Sequence, residues 1–519
     1  MASEHRLHPS SIIFSLGQGL IRLAFPGLVA FVTAGSTGWL WQPWLLALAI
    51  PAAVFPVLGY FTFRYRYESD EMVIRSGLIF RNERHVPYAR IQNLDATQNV
   101  FHRLLGVAEV RVETGAGNEP EARMAVLPLG AIAEMRRRVF AERAQRDEAL
   151  AESVVQELAD RPLLELSAGE LMRCGLIERR GLVVMAAAVG GLWQLGLTER
   201  VGNLVFGRVL SPVFGDWTFG AGEVRGAASS WPTALSSAAA WSVRHLVAIL
   251  VLLAVGTLLV VVLSMAWAFI RLYGFRLVRV GADLRTEYGL LTRVTATIPL
   301  TRIQTLTIHE GPWHRLMGRV SVSVDTAGGN GPVRDGGGQN APRREGLAPI
   351  LRRQDLAAFV GQVLPALDLP DVEWRRVHPR AFWRRLKPSI ASASIGAVPF
   401  VVVLGWSGLA VVPVLLCWGL LSGHKHVNHL GWALTDSAVC FRSGWIWRNT
   451  TVAPFSKIQV ATLLESPFDR RAAMATVSVD AAGAGQYSHR VTIPYLGREV
   501  AADLHAALSA RAAGTEFRW

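Results

Sequence analysis

The sequence predicts a mixed protein of membrane α-helices and β-rich domains. Paired transmembrane helices alternate with three small antiparallel β-barrel or sandwich domains, each closed by a C-terminal helix. Three observations predict it. The chain is too apolar for a soluble protein of its length, its apolar residues gather into bilayer-length runs, and one β-type motif recurs three times at constant spacing.

Of 519 residues, 51% are hydrophobic and 18% charged, with a mean hydropathy of +0.29. A soluble surface needs more charge than that. The length suits about three units at a typical ~150 residues each. Lys and Arg (53) exceed Asp and Glu (40), for a net charge of +13. Such an excess suits nucleic acid or an anionic membrane surface, and with apolar spans present the membrane comes first. Cys174, Cys417 and Cys440 are far apart and form no C-x-x-C pair, which argues against a disulfide framework or a metal site. The N-terminal MASEHRLHPSS lacks a compact charged region leading to a cleavage site, so the first apolar run reads as a retained span.

Crossing ~30 Å of hydrocarbon takes ~20 apolar residues. Candidate spans are 15–35, 39–62, 181–197 and 245–270, with a longer run at 390–422. Arg22, inside the first, reads as a side chain that snorkels to the interface. The last run is too long for one upright helix and short for two, and Gly405-Trp406-Ser407-Gly408 at its centre supplies a turn. Charge arbitrates. Basic residues cluster at Arg64 and Arg66, Arg179 and Arg180, Arg271 to Arg279, and Arg375 to Lys387, with Lys425 beyond the last run. Residues 36–38 carry no Lys or Arg, and the connection 198–244 is dilute in charge but holds Trp217, Trp231 and Trp241. The positive-inside rule then places every large charged segment in the cytoplasm, which six spans satisfy and five do not.

The repeat is dense. Gly77, Gly289 and Gly444 are each followed ten residues later by Pro87, Pro299 and Pro454. Three residues further lie Arg90-Ile91-Gln92, Arg302-Ile303-Gln304 and Lys457-Ile458-Gln459. Nine residues past each glutamine stands an aromatic (Phe101, Trp313, Phe468), and two beyond it an arginine (Arg103, Arg315, Arg470). Gly106 and Gly318 follow at equal spacing, where the third copy has Ala473. Each copy then alternates into an acid: Glu113, Asp325 or Asp480. Helical patterns close the copies at 129–145, 351–365 and 497–511, and short related segments around Leu7-His8-Pro9, Leu166-Ser167-Ala168 and Val377-His378-Pro379 precede the apolar runs. The resulting units are an interfacial helix and hairpin (1–63, 161–271 and 371–424), each followed by a β domain (64–160, 272–370 and 425–519).

The runs S-G-L-I-x-R at 76–81, V-P-Y-A-R-I-Q-N at 86–93 and F-H-R-L-L-G-V at 101–107 resemble bacterial pleckstrin-homology domains of the membrane-associated type. The tandem arrangement with paired spans resembles the YdbT-like membrane proteins. The third copy departs from the pattern, reading Arg470-Arg471-Ala472-Ala473 where the first has R-L-L-G. The resemblance implies a bent antiparallel sheet closed by a helix, a multi-pass protein of the bacterial inner membrane with cytoplasmic N-terminus and domains, and a partner that is a smaller membrane protein with one such domain.

The repeated set Arg90, Gln92, Arg103, Arg302, Gln304, Arg315, Lys457, Gln459 and Arg470 has two readings. It could recognise an acidic partner or lipid headgroup through charge-assisted hydrogen bonds, or it could tie strands and turns within the fold. The three glycines mark turns that need positive φ. His309-Glu310 and His314 stand five apart across Gly311-Pro312, not the four of a helical zinc pair, so no metal is expected. No phosphate loop, nucleophile elbow or dinucleotide fingerprint is present, and the repeated acids lack a second carboxylate at fixed spacing, so no cofactor and no catalysis are expected. The Asn449-Thr450-Thr451 sequon falls on the cytoplasmic side of this topology and carries no weight. In Arg375–Lys387, the cations Arg375, Arg376, Arg380, Arg384, Arg385 and Lys387 interleave with Phe382 and Trp383. Directly before a span, that composition fits an anionic leaflet better than nucleic acid. Residues 327–346 read as a Gly-rich loop. The function expected is a non-enzymatic membrane scaffold whose domains bind proteins or lipid headgroups in envelope homeostasis or stress resistance; the alternative is a transporter or amphiphile-handling component.

Overall fold

In this computed structural model the described residues are 4–16, 57–77, 81–88, 91–114, 122–135, 162–178, 246–281, 283–326, 344–364, 372–386, 411–481 and 490–514, with a few isolated positions besides. The first copy contains β1 (His5–Arg6), β2 (Arg64–Tyr67), β3 (Glu71–Ser76), β4 (Asn82–Pro87), β5 (Ile91–Gln98), α1 (Val100–Leu104), β6 (Val107–Thr114) and β7 (Ala122–Pro128). The second contains β8 (Leu164–Glu165), α2 (Ala168–Glu178), α3 (Leu246–Leu272), β9 (Arg276–Val280), β10 (Asp283–Tyr288), β11 (Arg293–Pro299), β12 (Ile303–Glu310), α4 (Pro312–Leu316), β13 (Arg319–Thr326), β14 (Arg344–Arg352) and α5 (Leu356–Val363). The third contains β15 (Arg375–Arg376), α6 (Val411–His429), β16 (Gly431–Leu434), β17 (Ala438–Ser443), β18 (Arg448–Pro454), β19 (Ile458–Leu464), α7 (Pro467–Arg471), β20 (Met474–Ala481), β21 (Arg490–Gly497) and α8 (Arg498–Gly514). The sequence reading of 327–346 as loop is corrected at its end, because β14 begins at Arg344 and pairs there with Asp325.

Period-two patterning builds each domain. In β13, Val320, Val322 and Val324 point inward and are almost fully buried. Four strands form one antiparallel sheet and three form another, and their apolar faces meet. In the first domain Met72, Ile74 and Val86 meet Ile91, Val110, Val112 and Leu127, and Ile132 and Met135 close the core. The repeated isoleucines Ile91, Ile303 and Ile458 are all core residues.

The domains are not separately closed. The three-stranded sheet of the first joins the four-stranded sheet of the second, in the order β7-β6-β5-β11-β10-β9-β8. The second joins the third in the same way, as β14-β13-β12-β18-β17-β16-β15. Each seven-stranded sheet therefore serves two domains. The core of the second domain accordingly runs on into Ala433, Ala438, Cys440 and Val452 of the third.

In every copy the strand before the apolar segment pairs antiparallel with the strand after it: His5↔Tyr65, Leu164↔Leu277 and Arg375↔Trp432. The chain thus departs from, and returns to, one sheet. Among the described residues one helix is long and apolar enough to cross a membrane, Leu253–Leu272 within α3, with a mean hydropathy of 2.4. The expected spans 15–35, 39–62 and 181–197, and much of 390–422, fall largely outside the described residues. Within the second copy, α2 lies against α3. A Cβ on Gly175 would stand 2.5 Å from Met265 Cα, and one on Gly181 only 1.8 Å from the Val260 carbonyl oxygen. Ser264 Oγ donates to the Gly175 carbonyl at 2.5 Å, and Arg271 pairs with Glu178 at 3.2 Å.

The turn glycines behave as expected. Gly77, Gly289 and Gly444 have φ of 103°, 114° and 87°, and a Cβ on Gly289 would meet the Thr292 carbonyl oxygen at 2.0 Å. Gly106 and Gly318 adopt φ of 64° and 61°, and Ala473, their counterpart, is held at 55°. A left-handed non-glycine residue costs about 1–2 kcal/mol, of which glycine's extra unfolded-state entropy takes back about 0.4–1. Ala473→Gly should therefore stabilise the third domain by up to about 1 kcal/mol, measured by denaturant unfolding of the detergent-solubilised protein.

Candidate functional site in the interdomain seams

Exposed strand edges carry unpaired N–H and C=O groups, and pairing them with another edge satisfies both rows. At the first seam Gln98, Thr97 and Ala96 face Arg293, Val294 and Thr295. At the second, Glu310, His309, Ile308, Thr307 and Leu306 face Arg448, Asn449, Thr450, Thr451 and Val452. Arg293 and Arg448 each lie four residues past the repeated glycine, and Gln98 and Glu310 each lie six past the repeated glutamine. The two seams share one register.

Side chains reinforce the second seam. His309 Nδ1 hydrogen-bonds Asn449 Oδ1 at 2.8 Å while its Nε2 meets Ser323 Oγ at 2.8 Å. His314 points elsewhere, its Nδ1 accepting from the Gly311 N–H at 3.2 Å. Among the described residues no cluster of His, Cys, Asp or Glu is arranged to hold a metal. Cys440 is buried in the core, which pushes its thiol up to about 12 and leaves it unreactive.

The repeated arginines reach across. In each copy the start of a short helix is capped: Asn99 with His102 and Ser466 with Asp469 form reciprocal capping boxes, while Gly311, which has no side chain, only donates its N–H to His314 Nδ1. This fixes the turn that carries Arg103, Arg315 or Arg470. Arg103 Nη1 donates to the Leu290 carbonyl at 3.0 Å, and Arg315 Nη1 to the Trp445 carbonyl at 3.1 Å. Leu290 and Trp445 each directly follow the repeated glycine of the next domain. Lys457 Nζ likewise donates across the second seam, to the Thr301 carbonyl.

The remaining candidates divide. Gln304 is buried, with Nε2 donating to the Arg302 carbonyl at 3.3 Å, and Arg302 is half-buried beside it. Gln459 and Arg470 are exposed. Arg90 and the side chain of Gln92 lie outside the described residues, as does Lys387. In the basic segment Arg375 stacks over Trp432 and Arg384 over Phe468, and Arg384 also pairs with Asp469 at 3.0 Å. Arg376, Arg380, Trp383 and Arg385 are exposed. Sequence reasoning missed the receiving side of each seam, Leu290, Trp445, Asn449 and Arg448. Their constant offset from the repeated glycine was the available signal.

Where the first ladder stops after three pairs, a cleft of about 450 Å³ opens between the domains. Ala96, Leu129 and Ile132 form an apolar wall facing Arg285 and Arg293. Both guanidiniums hold Glu287, at 2.7 and 2.8 Å, so the cleft keeps one net positive charge from these three groups.

Residues 20–143, 233–367 and 390–512 each match the bacterial PH domain family. The chain belongs to that family. It is also similar to the UPF0699 transmembrane protein YdbT of Bacillus subtilis (strain 168), 24% identical over 529 residues that span 97% of each chain. No solved structure matches. The three β domains are therefore PH domains fused edge to edge, and the near full-length similarity extends to the segments between them.

Two outcomes follow from the seam chemistry. Arg315→Ala should loosen the second seam by about 1.5–3 kcal/mol, the worth of a hydrogen bond to a charged group. Hydrogen exchange should then quicken in β12 and β18 but not in β20 and β21. His314 is held neutral, its pKa lowered to about 4 by burial and secondarily by the charge of His309. A lowered folded pKa means that the unfolded chain binds the proton more readily. The stability is complete above about pH 6.5 and is lost as pH falls toward 4. His314→Gln, whose amide oxygen can still accept from the Gly311 N–H, should flatten the acid side of a plot of melting temperature against pH.

Proposed function

We propose that this chain is a non-enzymatic, multi-pass membrane scaffold whose three PH domains form one continuous β platform on the cytoplasmic face of the plasma membrane. The carrying observation is the pairing of β1 with β2, β8 with β9 and β15 with β16. A segment that leaves one sheet and returns to the neighbouring strand crosses a bilayer an even number of times. At two crossings each, three such segments make six spans, the number that the distribution of Arg and Lys requires. The similar Bacillus protein is named a transmembrane protein, which supports insertion in a membrane.

The described site chemistry supports holding rather than reacting. Its basic groups are spent on carbonyls, carboxylates and aromatic faces within the fold, at both seams and at Arg384. Arg376, Arg380 and Trp383 face outward from the segment that leads into the third hairpin, where they would meet anionic headgroups. The platform presents acidic protein partners and lipid headgroups with several weak contacts at once, which combine through high effective concentration. A smaller membrane protein with a single PH domain is one partner of that kind.

Topology tests this reading directly. Reporters fused after residues 130, 345 and 519 should be active only in the cytoplasm, and one after 220 only outside it. A periplasmic C-terminus would leave the third PH domain across the membrane from the second. The seam between them could not then form, and the platform would be wrong.

A further inference from the structure

Each seam joins two kinds of edge, the strand after the repeated glycine (β11, β18) and the strand of the Ile-Gln pair (β5, β12). The chain contains three of each kind, and its two seams use two. One of each is left over. Among the described residues β4 ends the first four-stranded sheet and β19 ends the last three-stranded sheet, with no strand beyond either.

These edges are equipped like those that pair. Alignment on the repeat gives Arg81, Asn82 and Glu83 the positions of Arg448, Asn449 and Thr450, and gives Glu465, Leu464 and Leu463 those of Glu310, His309 and Ile308. Arg81 would face Glu465 as Arg448 faces Glu310. Glu465 is held by Arg498 at 2.9 Å, the counterpart of the Glu310–Arg353 pair at 3.7 Å. Beyond the buried Ile458, three apolar residues of β19 are bare. Val460, Leu463 and Leu464 are 53%, 37% and 49% exposed, whereas Thr305 and Ile308 at the first two of these positions in β12 are 1% and 4% exposed. Arg470 occupies the position from which Arg103 and Arg315 cross their seams, and its guanidinium makes no hydrogen bond among the described residues. His505 engages the Ala461 carbonyl of β19 at 3.1 Å, but that residue lies outside the three pairs common to both seams.

We infer that β19 of one copy pairs antiparallel with β4 of a second copy, with Arg81, Asn82 and Glu83 facing Glu465, Leu464 and Leu463, and so repeats the internal seam between molecules. The occupant is a second copy because the chain itself carries both halves of the joint, and its internal seams supply the register. Such a head-to-tail contact is heterologous, so it builds a closed ring or an open row along the membrane.

The inference rests on the seams of the proposed platform, and the experiment separates the two. Full-length protein carrying Cys417→Ser is expressed in membranes as two differently tagged copies, one with Asn82→Cys and the other with Leu464→Cys. Mild oxidation should give a cross-linked dimer bearing both tags. The band should fall to background when Arg84→Cys replaces Asn82→Cys, because the slipped register exceeds disulfide reach. Thr97→Cys with Val294→Cys in one chain places cysteines at the same two positions of the existing first seam. If that internal link forms and the intermolecular one does not, the inference falls while the platform stands. If neither forms, both fall. A link between residues 82 and 464 of a single chain, in the double variant, would show that the two edges close on each other and would also overturn it.

Discussion

The architecture depends on pairing strand edges between domains. A PH domain standing alone ends in two open edges, and each open edge is a row of unsatisfied donors and acceptors. Joining β5 to β11 and β12 to β18 removes four of them and makes a neighbouring domain part of each sheet. It also sets geometry. Because each seven-stranded sheet contributes to two cores, the domains cannot turn against each other without breaking a ladder, and the three roots of the apolar segments are held in fixed relation. Short flexible linkers between finished domains would have left those roots independent.

The repeat was legible because its positions are tied to local backbone demands. A positive φ at Gly77, Gly289 and Gly444 and a core isoleucine fourteen residues later recur for reasons that lie within one domain. The short helices were marked by an aromatic and an arginine, and two capping boxes could have been read from Asn99 and Ser466 standing three residues before His102 and Asp469. The seams were not legible. Strand pairing between domains is made by backbone groups that every residue carries, so no residue type announces it. Arg103 and Arg315 stood out as a surface for ligands, yet the carbonyls they meet belong to Leu290 and Trp445, residues with nothing in common but position. Only the offset from the preceding glycine connects them.

A chain of contacts sets the level of the short helices relative to α3. Leu290 donates its N–H to Ile270, and Gly289 to Tyr273, so the β10–β11 turn is fastened to the end of α3. Arg103 binds the same Leu290 from the other side, which brings α1 to the level where α3 ends. Phe101 and Leu104 on α1 are 67% and 83% exposed, and Leu316 on α4, beside α2, is 76% exposed. Large apolar side chains clustered at one level of a fold mark a surface that is covered by something other than water. Burying each is worth about 1.5–3 kcal/mol, enough for two or three of them to press a domain onto the interface without any charge. The third copy does the same work with different residues. It has Arg471 where the others have leucine, but Asp469 and Phe468 clasp Arg384, and the adjacent Trp383 stands 66% exposed on the basic segment. There the exposed apolar surface has moved from the short helix to the basic segment before the third apolar run, and cations have joined it. On the proposed platform the first two domains would therefore meet the leaflet by apolar contact, while the third would add attraction to its charge.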